Sequence, residues 1–321
     1  MDVKVLTSQG YLERIIKTID EKKENLGINF ERSGLFREIF GGENYGFVLA
    51  GDLQKEIRKG IKAPAYKFDN QMYPHSDGQS IGCKLFLPSA FSTNSKEFPS
   101  REEVEEIMDY LEFNKQKGNI ENIINSKRGT LFEDKLSIME LQKKGFRTPK
   151  SYHFQNFKEL KKFVKEKNQE YIIKHRFGQE GIQLERINPN NLAYFENWKI
   201  QDFIVQKKLN TTDEKRLIFF DNELIASRII IDRSSPWEKG KPNKRISKTY
   251  TYSPTIEEIN DSIKILKYSD TTIGCIDWVE TKNNGRYYME INGFGTGYGK
   301  GTHPYNVNKL VAQKLKEKYL K

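Results

Sequence analysis

Cysteine is nearly absent from this chain. Cys83 and Cys275 are the only two in 321 residues, too few for a disulfide framework or a four-cysteine zinc site. The four histidines, His75, His153, His175 and His303, show no metal-ligand spacing. Long apolar runs are missing as well. Ile229–Ile231 and its neighbours are far too short to cross a bilayer. The opening MDVKVLTSQGYLERII has no signal-peptide core. Internal repeats and low-complexity stretches are not visible. The expectation is a soluble cytoplasmic protein with no membrane partner.

Aromatic residues are plentiful, with 20 Phe, 16 Tyr and 3 Trp. They can fill a core, which excludes wholesale disorder. The length suits two packed domains or one elaborate one. The net charge of +10 favours anionic partners. The basic residues are interleaved with acids, however. The dense clusters KELKKFVKEK at 158–167 and KLKEKYLK at 314–321 read as solvated helix faces. No compact basic run is interleaved with aromatics, which makes nucleic acid the weakest partner class.

The sequence divides near residue 125. Before it, Val3–Leu6 reads as a strand, and Leu12, Ile15, Ile16 and Ile19 recur at helical spacing. Residues 41–100 are irregular. Ser100 and Glu103 form a capping box that opens a helix through Leu111. The polar stretch 113–129 reads as a link between the two parts of the chain.

Beyond residue 130 the pattern sharpens. Residues 133–145 predict a helix stopped by Gly145. Pro149 keeps the next stretch extended. NFKELKKFVKEKN predicts an amphipathic helix, and YIIKHR (171–176) and KIQDFIVQKKL (199–209) contain strands. RLIFFDNELIASRIII (216–231) predicts a hairpin turning at Asp221-Asn222. After a helix in TIEEINDSIKILKYS, two strands meet at Asn283-Asn284-Gly285, a strong hairpin turn. The half is α+β in character.

Three constellations carry chemistry. Glu290 and Asn292 are two apart on one strand and share a face, with Asp277 on the partner strand. Two carboxylates and an amide oxygen make a hard-oxygen site suited to Mg²⁺; the bland reading is the wet face of a hairpin. Lys174, followed by Gly178 and Gly181, can hold phosphate oxygens beside a loop whose amides approach closely. Asp213, Glu214 and Arg216 enter the first hairpin, with Arg228, Arg233 and Arg245 beyond; arginine suits bidentate recognition of carboxylate or phosphate. Surface ion pairs are the alternative for each of them. Cys275 reads as core packing. His175 points away from Lys174 and reads as structural. The stretch 293–306 carries five glycines from Gly293 to Gly301, with Lys300 and His303. It reads as either a surface loop or a substrate-binding loop.

Taken in order, Asp134-Lys135-Leu136, GFRTPKSYHF, YIIKHRFGQEGIQL, IVQKKL, DEKRLIFFDNELIASR, CIDWVE and YMEINGFGTG resemble the ATP-grasp superfamily. The likeness is best to its carboxylate–amine ligases and covers about residues 130–300. It implies two α+β subdomains clasping ATP, 126–204 and 205–321, preceded by a smaller substrate domain at 1–125. It implies ATP and Mg²⁺ as cofactors, with Mn²⁺ as a substitute. Lys135, Lys174, Gly178 and Gly181 would meet the phosphates. Val205 to Leu209, with Gln206 and Lys208, would line the adenine, and Glu214 or Asp213 the ribose. Arg216 follows as in the family and is a catalytic candidate with Arg228 and Arg233, of which one or the other would sit near the γ-phosphate or acyl phosphate, and Asp277, Glu290 and Asn292 would hold the metal. The hinge departs from the family's usual Gln-Glu, since Lys207 follows Gln206. The implied reaction activates a carboxylate as an acyl phosphate and captures it with an amine. The carboxylate and the amine belong to small molecules or peptides, and a homodimer is a family-typical assembly. A phosphotransferase acting on a small molecule is the second reading and a nucleic-acid-binding protein the third.

Overall fold

The computed structural model describes residues 3–7, 45–49, 66–68, 74–76, 83–88, 101–178, 184–232, 247–282, 285–293 and 307–319. Three sheets organise them.

The first sheet has the order β4-β3-β2-β1-β5-β6. Its strands are β1 (Val3–Thr7), β2 (Tyr45–Leu49), β3 (Tyr66–Phe68), β4 (Pro74–Ser76), β5 (Cys83–Pro88) and β6 (Ile120–Ile123). β1 pairs in parallel with β2 and β5, and β5 with β6. β3 and β4 extend the sheet antiparallel. This parallel pairing is not legible in the irregular sequence of the region.

Helix α1 (Arg101–Gln116) runs beyond the predicted end at Leu111. The predicted cap at Ser100 lies outside the described residues. The polar stretch 113–129 proves more than a link, because it contains β6 and the start of α2 (Lys127–Leu131). Ile120 in the strand and Ile124 just beyond it are both buried, which anchors this polar stretch.

The second sheet, order β7-β10-β8-β9, is antiparallel. It comprises β7 (Ser151–Tyr152), β8 (Tyr171–His175), β9 (Leu184–Ile187) and β10 (Phe203–Lys207). Helix α3 (Ser137–Lys143) is shorter than predicted, because residues 132–136 form turns. Gly145 stops it at φ +85°, a conformation glycine adopts freely. Helix α4 (Phe157–Lys167) is capped by Asn156, whose side chain accepts the Glu159 N–H. Leu160 and Val164 on α4 pack with Tyr171, Ile173, Phe203 and Val205 of the sheet. The alternate residues Ile172, Lys174, Ile204 and Gln206 therefore face the other way, and all four are buried.

The third sheet, order β13-β12-β11-β14-β15, carries the two predicted hairpins. Its strands are β11 (Thr211–Phe220), β12 (Glu223–Asp232), β13 (Ser247–Thr251), β14 (Ile273–Thr281) and β15 (Arg286–Asn292). Asp221 and Asn222 turn the first hairpin at φ +53° and +66°, the left-handed pair a type I′ turn requires. The predicted turn residues Asn283 and Asn284 lie outside the described residues. Helix α5 (Ile256–Ser269) starts on a capping box between Thr255 and Glu258. Leu217, Phe219, Ile276, Trp278, Tyr288 and Ile291 pack against Ile138 and Leu141 of α3 and Ile265 and Leu266 of α5. This leaves the opposite face of the sheet for Arg216, Asp277 and Glu290.

Tyr288 and Glu290 break the alternation. Two residues apart on a regular strand they would share a face, yet Tyr288 is in the core. The pairing resolves this. Trp278 opposes Tyr288 and Asp277 opposes Glu290, so Met289 is an extra, bulged residue.

Helix α6 (Val307–Tyr319) returns to the first hairpin. Lys314 pairs with Glu223 at 2.6 Å and Lys318 with Asp221. The basic C-terminal cluster is therefore partly paired rather than wholly solvated, whereas the lysines of α4 are exposed as expected. Among the described residues no helix is long and apolar enough to cross a membrane.

Candidate nucleotide and metal site

One cross-strand row decides the character of the third sheet's open face. Arg228 on β12 opposes Arg216 on β11, which opposes Asp277 on β14, which opposes Glu290 on β15. Two cations are followed by two carboxylates, and four strands set the row about 14 Å long. Arg216 Nη2 lies 3.1 Å from Asp277 Oδ2 and 2.8 Å from Glu214 Oε1. Asp277 is 3% exposed. Burial raises its pKa to about 7; Arg216 pulls it down, while Glu214 and Glu290 push it up. Glu290 goes the other way. Burial also works against its charge, but Lys135, Lys174 and Arg216 together hold its pKa below the usual range. The two carboxylates thus divide their roles, one ionised and one close to the neutral form, as adjacent acids under different neighbours do.

Asn292 completes the predicted triad. Its amide nitrogen lies 3.3 Å from Asp277 Oδ2 and 3.4 Å from Glu290 Oε1. An amide flip would present Oδ1 in the same place. The Cys275 thiol donates to Asp277 Oδ1 at 3.5 Å from a buried position, as a packing residue would.

Two lysines face this row from other elements. Lys135 lies in the turn before α3, where Asp134 accepts the Leu136 N–H at 3.0 Å. Its ammonium sits 3.5 Å from Glu290 Oε2 and donates to the Gly178 carbonyl. Lys174 projects from the open face of β8 and is 6% exposed. Burial lowers its pKa to about 8, with Lys135 in the same direction and Glu290 and Asp277 opposing. Arg216 is half-buried. Desolvation opposes its charge, but Asp277 and Glu214 keep it firmly protonated. Arg228 has its pKa lowered by burial and by Arg216 beside it.

The other predicted residues fall around this centre. Gly178 is buried against Lys135, while Gly181 and Arg233 lie outside the described residues, as does Arg245. Gln206 shares the Lys174 face, but its amide donates to the Ser151 hydroxyl at 2.8 Å and is committed to packing. Lys208 pairs with Glu170 at 2.6 Å rather than standing free. Leu209 is half-buried between β10 and β11, and Asp213 sits beside an irregularity in the β11–β14 pairing. Glu214 accepts from Arg216. His175 is structural, its Nδ1 accepting the Phe177 N–H at 3.2 Å.

Residues that sequence reasoning passed over also reach the site. Asp134, fully buried, accepts from Arg176 Nε at 3.1 Å and from Arg101 at 3.4 Å, which fixes the turn carrying Lys135. Glu133 accepts the Gly293 N–H, and burial raises its pKa to about 7. Asn125 accepts the Thr272 and Ile273 N–H groups and donates to the Ile273 carbonyl, each at 2.9 Å. The Glu-Asp-Lys run was the available signal for the first two. Asn125 gave none.

Among the described residues no group of three His, Cys, Asp or Glu could hold a metal ion. Two carboxylates and one amide oxygen do fit Mg²⁺, which takes few protein ligands and completes its shell with phosphate and water.

Comparison with solved structures identifies the architecture. The chain has the ATP-grasp fold. The ATP-grasp ligase PsnB complexed with a minimal precursor superimposes at TM-score 0.60, with 14% identity over 98% of each chain. The macrocyclase MdnC bound with precursor peptide MdnA from Microcystis aeruginosa MRC gives TM-score 0.57 and 13% identity, covering 99% of this chain and 100% of that one. The D-alanyl-alanine synthetase A from Vibrio cholerae O1 biovar eltor gives 0.61 and 12%, covering 98% and 93%. No protein-family model and no curated protein matches the sequence.

Proposed function

We propose that this chain is an ATP- and Mg²⁺-dependent ligase that joins a carboxylate to an amine, releasing ADP and phosphate. The observation that carries the reading is the cross-strand row Arg228–Arg216–Asp277–Glu290 faced by Lys135 and Lys174. The charges of this row pair with one another, and they gather on the sheet face turned away from α3 and α5, opposite the buried Lys174.

Each residue then has a task. Asp277, Glu290 and Asn292 would hold Mg²⁺, which supplies charge neutralisation between phosphate oxygens. Lys135 and Arg216 are paired with those carboxylates now. Both cations would be free to turn toward phosphate if a divalent ion took their place on those carboxylates. Lys174, Arg228 and Arg233 would spread the remaining negative charge. A substrate carboxylate oxygen attacks the γ-phosphorus, the β–γ bridging bond breaks, and ADP leaves. The amine nitrogen then attacks the acyl carbon, the carbon–oxygen bond to phosphate breaks, and the amine gives up a proton. No nucleophilic side chain is required.

The first sheet supports a substrate domain at 1–125. β2 and β5 flank β1 on opposite sides, and open α/β sheets bind ligands at the carboxyl ends of such strands. The precursor complexes of PsnB and MdnC support a peptide as one substrate, and PsnB has been solved with Mg and ADP. Residues 126–321 would form the two clasping subdomains.

Thermal unfolding with ADP or a non-hydrolysable ATP analogue, with and without Mg²⁺, tests the reading. A ligand at 100 times its dissociation constant adds about 2.7 kcal/mol. Asp277→Asn and Glu290→Gln should fold and lose the Mg²⁺-dependent part of the shift. Retention of that part by both variants would sink the metal assignment.

A further inference from the structure

Gly293 is the last described residue after β15, one position beyond Asn292. Its N–H is taken by the Glu133 carboxylate. A Cβ at Gly293 would lie 2.0 Å from Glu133 Oε1 and 3.2 Å from Asn125 Nδ2. No side chain can stand there while Glu133 keeps its position. Glu133 is two residues before Lys135, whose ammonium reaches Glu290 at 3.5 Å. One short turn therefore grips β15 twice. Lys135 meets the strand at Glu290, and Glu133 holds the backbone just past Asn292.

We infer that Glu133 is a positioning residue for the metal edge of β15, acting through the Gly293 N–H. This role rests on the nucleotide–Mg²⁺ reading of the site. Asn292 is the last residue of β15, paired through its main chain with Cys275, and its side-chain amide contacts Asp277 and Glu290. The Glu133–Gly293 hydrogen bond fixes the main chain on the far side of Asn292, so its amide meets the two carboxylates in a set direction. Partners that orient a metal ligand are commonly worth about 10–100-fold in metal affinity. Because the contact is a hydrogen bond to a backbone N–H, a glutamine should replace the glutamate and an alanine should not.

The test is the Mg²⁺ midpoint of the ADP-induced thermal shift, measured on the full chain. The wild type supplies the control, since absence of any Mg²⁺-dependent shift there would overturn the nucleotide reading and this inference with it. Given that shift, Glu133→Ala should raise the Mg²⁺ midpoint about 10-fold or more, and leave the Mg²⁺-free ADP shift unchanged. Glu133→Gln should stay near wild type. Gly293→Ala, which sets a methyl group against the carboxylate, should raise the midpoint as Glu133→Ala does. An unchanged midpoint in Glu133→Ala would overturn the inference. So would equal losses in Glu133→Gln and Glu133→Ala, because the charge rather than the hydrogen bond would then matter. If Glu133→Ala fails to fold, Glu133→Gln and Gly293→Ala decide: a near-normal glutamine with a shifted Gly293→Ala supports it, and any other pairing overturns it.

Discussion

Arg216 and Asp277 lie side by side on neighbouring strands, and the fold has placed the carboxylate out of water and left the guanidinium half-buried. An ordinary aspartate titrates near 3.8, and burial brings Asp277 to about 7. Between those values the folded, nucleotide-free protein holds a proton that the unfolded chain has released. The stability this contributes is full below about pH 4 and is lost as pH rises through about 7. Asp277→Asn removes the effect, so the variant should gain in Tm on the wild type from pH 5 to pH 8. A constant difference over that range would contradict the assignment. Metal binding requires the ionised carboxylate, so Mg²⁺ affinity in the presence of ADP should fall below about pH 7, by up to about tenfold per pH unit. Lys174 behaves in the opposite sense. Its ammonium is costly to bury, so Lys174→Met should leave the ligand-free Tm unchanged or raise it. The same variant should weaken ADP binding by about 10–100-fold, the worth of one charged hydrogen bond, as isothermal calorimetry would read. At this scale the sequence revealed the residue types that carry charge into the site. It concealed their partners, because Glu133 reaches Gly293 and Asn125 reaches Ile273 across long separations that no local pattern records.

Elements with strong local chemistry were legible. The Asp221-Asn222 turn, the helix over TIEEINDSIKILKYS and the β14–β15 hairpin are read from turn residues and local pattern, and the structure adds a capping box at Thr255. Thr255 accepts the Glu258 N–H at 3.2 Å, and Glu258 returns the contact to the Thr255 N–H at 2.7 Å. Thr255→Ala should cost about 1–2 kcal/mol, read as a lowered urea midpoint with an unchanged slope. Glu258 also meets Lys215 at 2.9 Å, and Lys215 lies over the Tyr252 ring. Buried ion pairs of this kind penalise the loss of one member by about 3–5 kcal/mol, so Lys215→Met should be the more damaging change. The first sheet was the least legible. β3 and β4 are three residues each, too short to show a period, and β6 is a four-residue strand inside a polar run. Met289 was invisible for a different reason. Alternation counts every residue, and a bulge is the residue that must be skipped.

The molecule as a whole carries a charge of +10, yet at its candidate site Arg216 and Lys135 are already paired with Asp277 and Glu290, and a divalent ion would add further positive charge there. The ATP-grasp reading therefore predicts a nucleotide shift that Mg²⁺ enlarges and that changes little with salt. Binding driven by the overall charge would instead weaken steeply between 50 and 200 mM salt, by about 10³–10⁵ for a protein making six to ten phosphate contacts. Asn125 adds a mechanical constraint. At the end of the first sheet its side chain makes three hydrogen bonds to the backbone that begins β14, four residues before Asp277. These bonds tie the rim of one sheet to the strand bearing a proposed metal ligand, so a hinge opening between them would have to break all three.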